Sequence, residues 1–77
     1  MALITDAATA WSSPITLTRD EVWQTRRGGV FVTTTASPAA DDGLFLREGI
    51  GIRFSVGSEV RYRKEGTGDA VIVHEAV

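Results

Sequence analysis

The feature that most narrows the folding possibilities of this 77-residue chain is an alternation of apolar and polar residues in its second half. Ile50, Ile52, Phe54 and Val56 are separated by Gly51, Arg53 and Ser55. These are consecutive matches to the period-two pattern of a half-buried β-strand. Gly57-Ser58 follows as a tight turn of a hairpin-compatible type. Beyond it, Val60 and Tyr62 continue the inward face while Glu59, Arg61 and Arg63 point the other way.

Turn-punctuated apolar runs recur along the chain. Pro14 opens Ile15–Thr18, as a proline can at a strand start. Val30–Thr35 has strong β propensity, Leu44–Glu48 is a short run ended by Gly49, and Ala70–His74 is the last. Two segments have loop composition: Glu65–Asp69, and Ala36–Gly43 with its proline and Asp-Gly signal. The second is the best candidate for a mobile or protruding loop. Residues 19–27 read in two ways. Thr18 with Glu21 fits a capping box and Gly28 a helix stop, which would make a short helix. Alternatively Arg19–Glu21 turns and Val22–Arg27 is a strand. The turn-plus-strand reading is favoured, because the stretch is short and its apolar face is weak for a helix.

About six or seven short strands at this spacing predict an all-β fold, a small antiparallel barrel or sandwich. Residues 14–77 form its single β domain and residues 1–13 an N-terminal arm. The arm is rich in Ala, Ser and Thr, with Leu3, Ile4 and Trp11 as isolated apolar anchors. It is either loose or ordered by docking one of those anchors on a neighbour.

Composition bounds the functional classes. The chain is 43% hydrophobic and 23% charged, values of an ordinary globular domain. Its apolar runs are far shorter than the roughly 20 residues that cross a bilayer, so no membrane span is expected. Met1–Pro14 contains Asp6 and no Lys or Arg, unlike a secretory signal, which points to assembly in a cytoplasm. There is no cysteine, which removes disulfides, thiolate metal sites and cysteine nucleophiles together. At this size hydrophobic burial and chain-ordering entropy nearly cancel, and such chains often add a cross-link, a metal or a partner. Association is the device left open. It would also cover exposed strand edges, which otherwise pair indiscriminately. The candidate interface residues are Leu3, Ile4, Trp11, Trp23 and Phe45.

Signals for chemistry are thin. His74 is the only histidine, lies in an expected strand beside Glu75, and accompanies no nucleophile elbow. It reads as an edge or interface residue, and no enzymatic activity is expected. Asp41-Asp42 lacks the spacing of a calcium loop. Gly49-Ile50-Gly51 and Gly66-Thr67-Gly68 precede no helix and read as turns, not phosphate cradles. No cofactor or metal is expected. Two binding alternatives stay open. A carbohydrate-binding module would use Trp11 or Trp23 as an exposed platform. A single-strand nucleic-acid binder would use Arg53, Arg61 and Arg63, which share one strand parity and would converge if 50–56 and 58–64 formed a hairpin. The net charge of −2 and the inward parity of Phe54 and Tyr62 argue against nucleic acid as a partner.

Three stretches taken together resemble the small β-structured virion proteins of tailed bacteriophages and of gene transfer agents. They are Ile15–Arg26, Gly29–Thr34, and the run from Gly43 to Arg63 with its Arg47-Glu48-Gly49 and Ser55-Val56-Gly57-Ser58-Glu59 segments. The resemblance implies a structural subunit such as a head-spike base, decoration or fibre-attachment protein. It also implies a closed homo-oligomer, a trimer or pentamer, seated on a capsid. Its partners would be other virion proteins, a fibre protein or a cell-surface glycan. Loop Ala36–Gly43 and the arm would be the contact elements. The chain lacks the long repetitive shaft of many fibre-linked proteins, so a base or adaptor fits better than a fibre.

Overall fold

A computed structural model describes residues 1–77 as eight strands and no helix. In chain order they are β1 (Ala2–Ile4), β2 (Ile15–Thr16), β3 (Glu21–Arg27), β4 (Val30–Thr33), β5 (Leu44–Leu46), β6 (Gly51–Phe54), β7 (Glu59–Lys64) and β8 (Val71–Ala76). They form two four-stranded antiparallel sheets, ordered β1-β8-β3-β6 and β2-β7-β4-β5. The all-β expectation holds in the form of an open two-sheet sandwich. No barrel closes, and β1 raises the strand number to eight.

The pairing follows one rule. β1 pairs with β8, β2 with β7, β3 with β6 and β4 with β5. The chain is thus one long nested hairpin whose tip is the loop after β4. Rolling that hairpin up adds the pairs β3–β8 and β4–β7. This is the strand order of a jelly roll.

Residues 19–27 settle as turn plus strand. Asp20 fixes the turn: its carboxylate accepts from Val56 N at 2.8 Å and from Arg53 Nη2 at 3.0 Å. β3 then alternates, sending Trp23 and Thr25 into the core and Val22 and Gln24 outward. Gly28, at φ +72°, ends it in a turn that a Cβ could not share, since Asp69 O would lie 2.6 Å away.

Trp23 is the centre of the core. Its ring meets Phe54 edge-on at 6.0 Å and Tyr62 at 6.4 Å, among fully buried Val30, Val32, Val60 and Ile72. Phe54 and Tyr62 face inward as their parity predicted. Thr25, also fully buried, donates its hydroxyl to Leu46 O at 3.0 Å and so ties one sheet to the other. The accessible surface of 4561 Å² matches the ~4,600 Å² that surface scaling gives for a compact monomer of this mass.

Three local expectations change. The run 50–56 is a strand only over Gly51–Phe54, and Ile50 and Val56 are both solvent-exposed. The turn at Gly57 does not close a hairpin: β6 belongs to one sheet and β7 to the other. Leu17 occupies the backbone groups that a hairpin would use, accepting from Gly57 N at 2.8 Å and donating to Ser58 O at 2.9 Å. The segment expected as an arm lies on the chain's own body. β1 pairs with β8, and residues 8–17 follow β7 through Lys64 N to Ala8 O, Ser12 N to Tyr62 O and the short β2.

Candidate functional site on the outer face of the second sheet

The register of β4, β5 and β7 places Phe45, Phe31 and Arg63 in one cross-strand row. Because Val30, Val32, Leu46 and Tyr62 take the inward parity, this row faces outward. Phe31 and Phe45 have ring centroids 5.1 Å apart. The Arg63 guanidinium lies 4.1 Å from the Phe31 centroid and 5.3 Å from that of Trp11. Each such cation–π contact contributes about 0.5–1 kcal/mol at an exposed site and more when desolvated. The result is a strip in the order Trp11, Arg63, Phe31, Phe45.

Two glycines seat its ends. A Cβ on Gly43 would come 2.9 Å from the Trp11 ring and 2.8 Å from Val32 O. A Cβ on Gly29 would come 2.8 Å from the Phe45 ring. Both rings therefore lie down on bare backbone. Trp11 Nε1 donates to Ala39 O at 2.7 Å, and Arg63 Nη2 donates to Ala40 O. Asp42 Oδ2 accepts from Ala39 N at 2.8 Å. The Ala36–Gly43 loop, expected to protrude, is thereby fastened along its middle.

The strip uses only part of the residues singled out from sequence. Phe45 is exposed and Trp11 half-buried, both within it. Leu3 is exposed on the outer face of the other sheet. Ile4 and Trp23 are buried in the chain's own core and present no surface to a neighbour. The three arginines do not converge, because the hairpin that would join them is absent. Arg53 pairs with Asp20 on the first sheet, Arg61 donates to Ser12 O at 3.1 Å, and Arg63 is held by the strip. Sequence reasoning missed Phe31 and the two glycine seats. Only the strand register reveals them.

A second cluster joins residues far apart in the chain. His74 stacks on Trp23, with centroids 4.7 Å apart and planes 23° from parallel. Glu21 Oε1 lies 2.9 Å from His74 Nδ1 and accepts from Trp23 Nε1 at 3.0 Å. The cavity beside it, about 240 Å³, is lined by Met1, Ala2, Arg19, Glu21, His74, Glu75 and Ala76, none bearing a hydroxyl or thiol. On the inner side, burial raises the Tyr62 phenol above its ordinary value, assisted by the Asp6 carboxylate that its hydroxyl meets at 2.9 Å. The hydrogen bond from Val56 N, followed by that from Arg53, lowers the Asp20 carboxyl.

Chemically, the strip can hold a partner by ring contact and apolar burial. Its guanidinium is committed to two rings and a loop carbonyl. A groove of about 630 Å³ lies beside Phe45, floored by Gly28 and Gly29 and edged by Arg47, Glu48 and Glu65. No family model, curated protein or solved structure matches the chain.

Proposed function

We propose that the chain is a structural subunit of a larger, phage-like particle, of the head-spike base, decoration or fibre-attachment type, and that it acts through surface contact with copies of itself and with capsid proteins. The observation that carries this reading is the strip itself, an outward aromatic row on a tightly packed sandwich. Large rings left in water are the anchors that interfaces use. The jelly-roll strand order adds support by analogy only, since capsid and lectin domains share it and fold does not fix function. The test is fractionation of sedimented particles from the producing cells. The chain is expected in the particle fraction at a fixed copy number, and Phe45→Ala is expected to leave it folded but deplete it there. Recovery only in the soluble fraction would overturn the proposal.

A carbohydrate-binding role is the second reading. It is favoured by the exposed Phe45 ring next to a groove edged by one arginine and two carboxylates. It now rests on Phe45 and Trp11, because Trp23 is enclosed. Glycan retention lost on Phe45→Ala, with the fold intact, would select it.

A further inference from the structure

The outer face of the first sheet carries a second feature. Its cross-strand rows follow from the register. Leu3, Val73, Gln24 and Gly51 form one row. Glu75, Val22 and Arg53 form the next row toward one end, and Val71 with Arg27 the next toward the other. Trp23, Thr25, Ile72 and Ile4 take the opposite parity into the core, so these rows face away from it. A solvent face of an antiparallel sheet is ordinarily polar. Here it carries exposed Leu3 and Val22 and half-buried Val71, set around a Val73 that is itself buried. Leu3 is 52% and Val22 37% exposed, and the exposed Met1 and Val77 continue the same alternation. Two of the chain's eight exposed large apolar side chains thus sit on strands of this face, and two more, Met1 and Val77, directly flank its strands in the chain, whereas scattered ones would need no explanation.

The face is also flat. Gly51 has no side chain, and a Cβ there would approach Trp23 O to 3.1 Å and Gln24 Cβ to 3.4 Å. Gln24 reaches past it to donate to Gly49 O at 3.0 Å, and so lies down on the sheet.

Its charges are arranged by end. Arg53 is neutralised by Asp20, and Glu21 is engaged by the His74 ring at 2.9 Å. Glu75 at one end, and Arg26 and Arg27 at the other, have no ion-pair partner in the chain. We infer that this face docks on the same face of a second copy. The two-fold axis would run along the Leu3–Val73–Gln24 row. That operation lays the Glu75 row of one copy over the Val71–Arg27 row of the other. It sets Leu3 against the partner's Leu3, lays Val22 on the stem of the partner's Arg27, and brings Glu75 within one strand of that same arginine, as an isologous contact requires. The longer dimensions of the molecule, 31 and 25 Å, set an outer bound on this face that just reaches the ~800 Å² per partner of a standard interface. The inference rests on the reading of the chain as a self-associating subunit and names the surface.

The test is sedimentation equilibrium of the full chain at several concentrations and salt levels. The wild type is expected to dimerise. Val22→Asp is expected to weaken the dimer at least tenfold with near-ultraviolet circular dichroism unchanged. Glu75→Arg and Arg27→Glu should each weaken it, and the double exchange should restore it. That rescue is not expected of a merely structural effect. A monomer at every concentration overturns the inference. So does an oligomer insensitive to Val22→Asp. In that second case, sensitivity to Phe45→Ala would leave the subunit reading standing and relocate the contact to the strip. A monomer found in particles would likewise separate the two.

Discussion

At the scale of single residues, the structure distinguishes positions that share a conformation. Gly43 and Gly57 both have strongly positive φ, +98° and +88°. Around Gly57 nothing lies within 4 Å of a would-be Cβ, whereas Gly43 faces Val32 O and the Trp11 ring. Gly57→Ala is expected to lower stability by about 1 kcal/mol through backbone strain alone. Gly43→Ala should cost clearly more, on the order of 2–3 kcal/mol, and should dislodge Trp11. Urea titration with tryptophan fluorescence compares the two. Trp23 is the largest fully buried side chain, and Trp23→Ala is expected to cost about 3–5 kcal/mol, a large share of the stability of so small a domain. The one tyrosine offers a pH test. Its phenol titrates above the ordinary value of about 10 in the folded chain. The unfolded chain then releases that proton first as pH rises, so folding stability is complete below the ordinary value and declines as pH climbs through the folded one. Tyr62→Phe should flatten that alkaline decline in thermal melts.

At the scale of elements, long-range tethers decide what local pattern leaves open. Much of the strand content was legible. β propensity marked Val30–Thr33, and alternation marked Ile52 and Phe54. Composition marked the two loops. Three features were not. β1 spans three residues, too few for any periodicity to register, and exists because β8 offers it an edge. The stretch 50–56 shows an unbroken alternation, yet its ends face water because the pairing with Gln24 starts only at Gly51. The turn at Gly57 looks like a hairpin turn in sequence, and only Leu17, some forty residues upstream, diverts it between sheets. The same dependence hides the strip, since Trp11 and Arg63 meet across most of the chain. Arg63 is thus a tether for the tip loop. Arg63→Lys keeps the charge but loses the planar stack and the fork of donors. A destabilisation of about 1 kcal/mol and faster proteolytic cleavage within residues 36–43 are expected. Asp20 plays the corresponding part for the turns before β3 and after β6. Its lowered carboxyl means that its contribution is present above the usual aspartate range and disappears as acid protonates it. Asp20→Asn should raise sensitivity of these turns to hydrogen exchange at neutral pH more than in acid.

At the scale of the whole molecule, all four edge strands are short. β1, β2, β5 and β6 have two to four residues, while the interior strands β3, β7 and β8 have six or seven and interior β4 has four. Brief edges are one way natural sheets avoid indiscriminate pairing. The contacts proposed above therefore use faces, one aromatic and one aliphatic, and leave the edges idle. Two different faces on opposite sides of a sandwich 17 Å thick would let one copy meet two partners at once. Mixing Phe45→Ala with Val22→Asp is expected to give additive losses of association, since the residues lie on separate sheets and share no neighbour.

The nested pairing has a consequence for biosynthesis. Ala2 lies opposite His74 and Ile4 opposite Ile72, so β1 leaves the ribosome long before the strand it pairs with. Only the β4–β5 arch joins neighbours in sequence, and it can zip while the remainder is still being translated. Until residue 74 clears the exit tunnel, Ile4 and Trp23 have no finished core to enter. The nascent polypeptide is then a sticky, half-zipped ribbon, the form most in need of chaperone shelter.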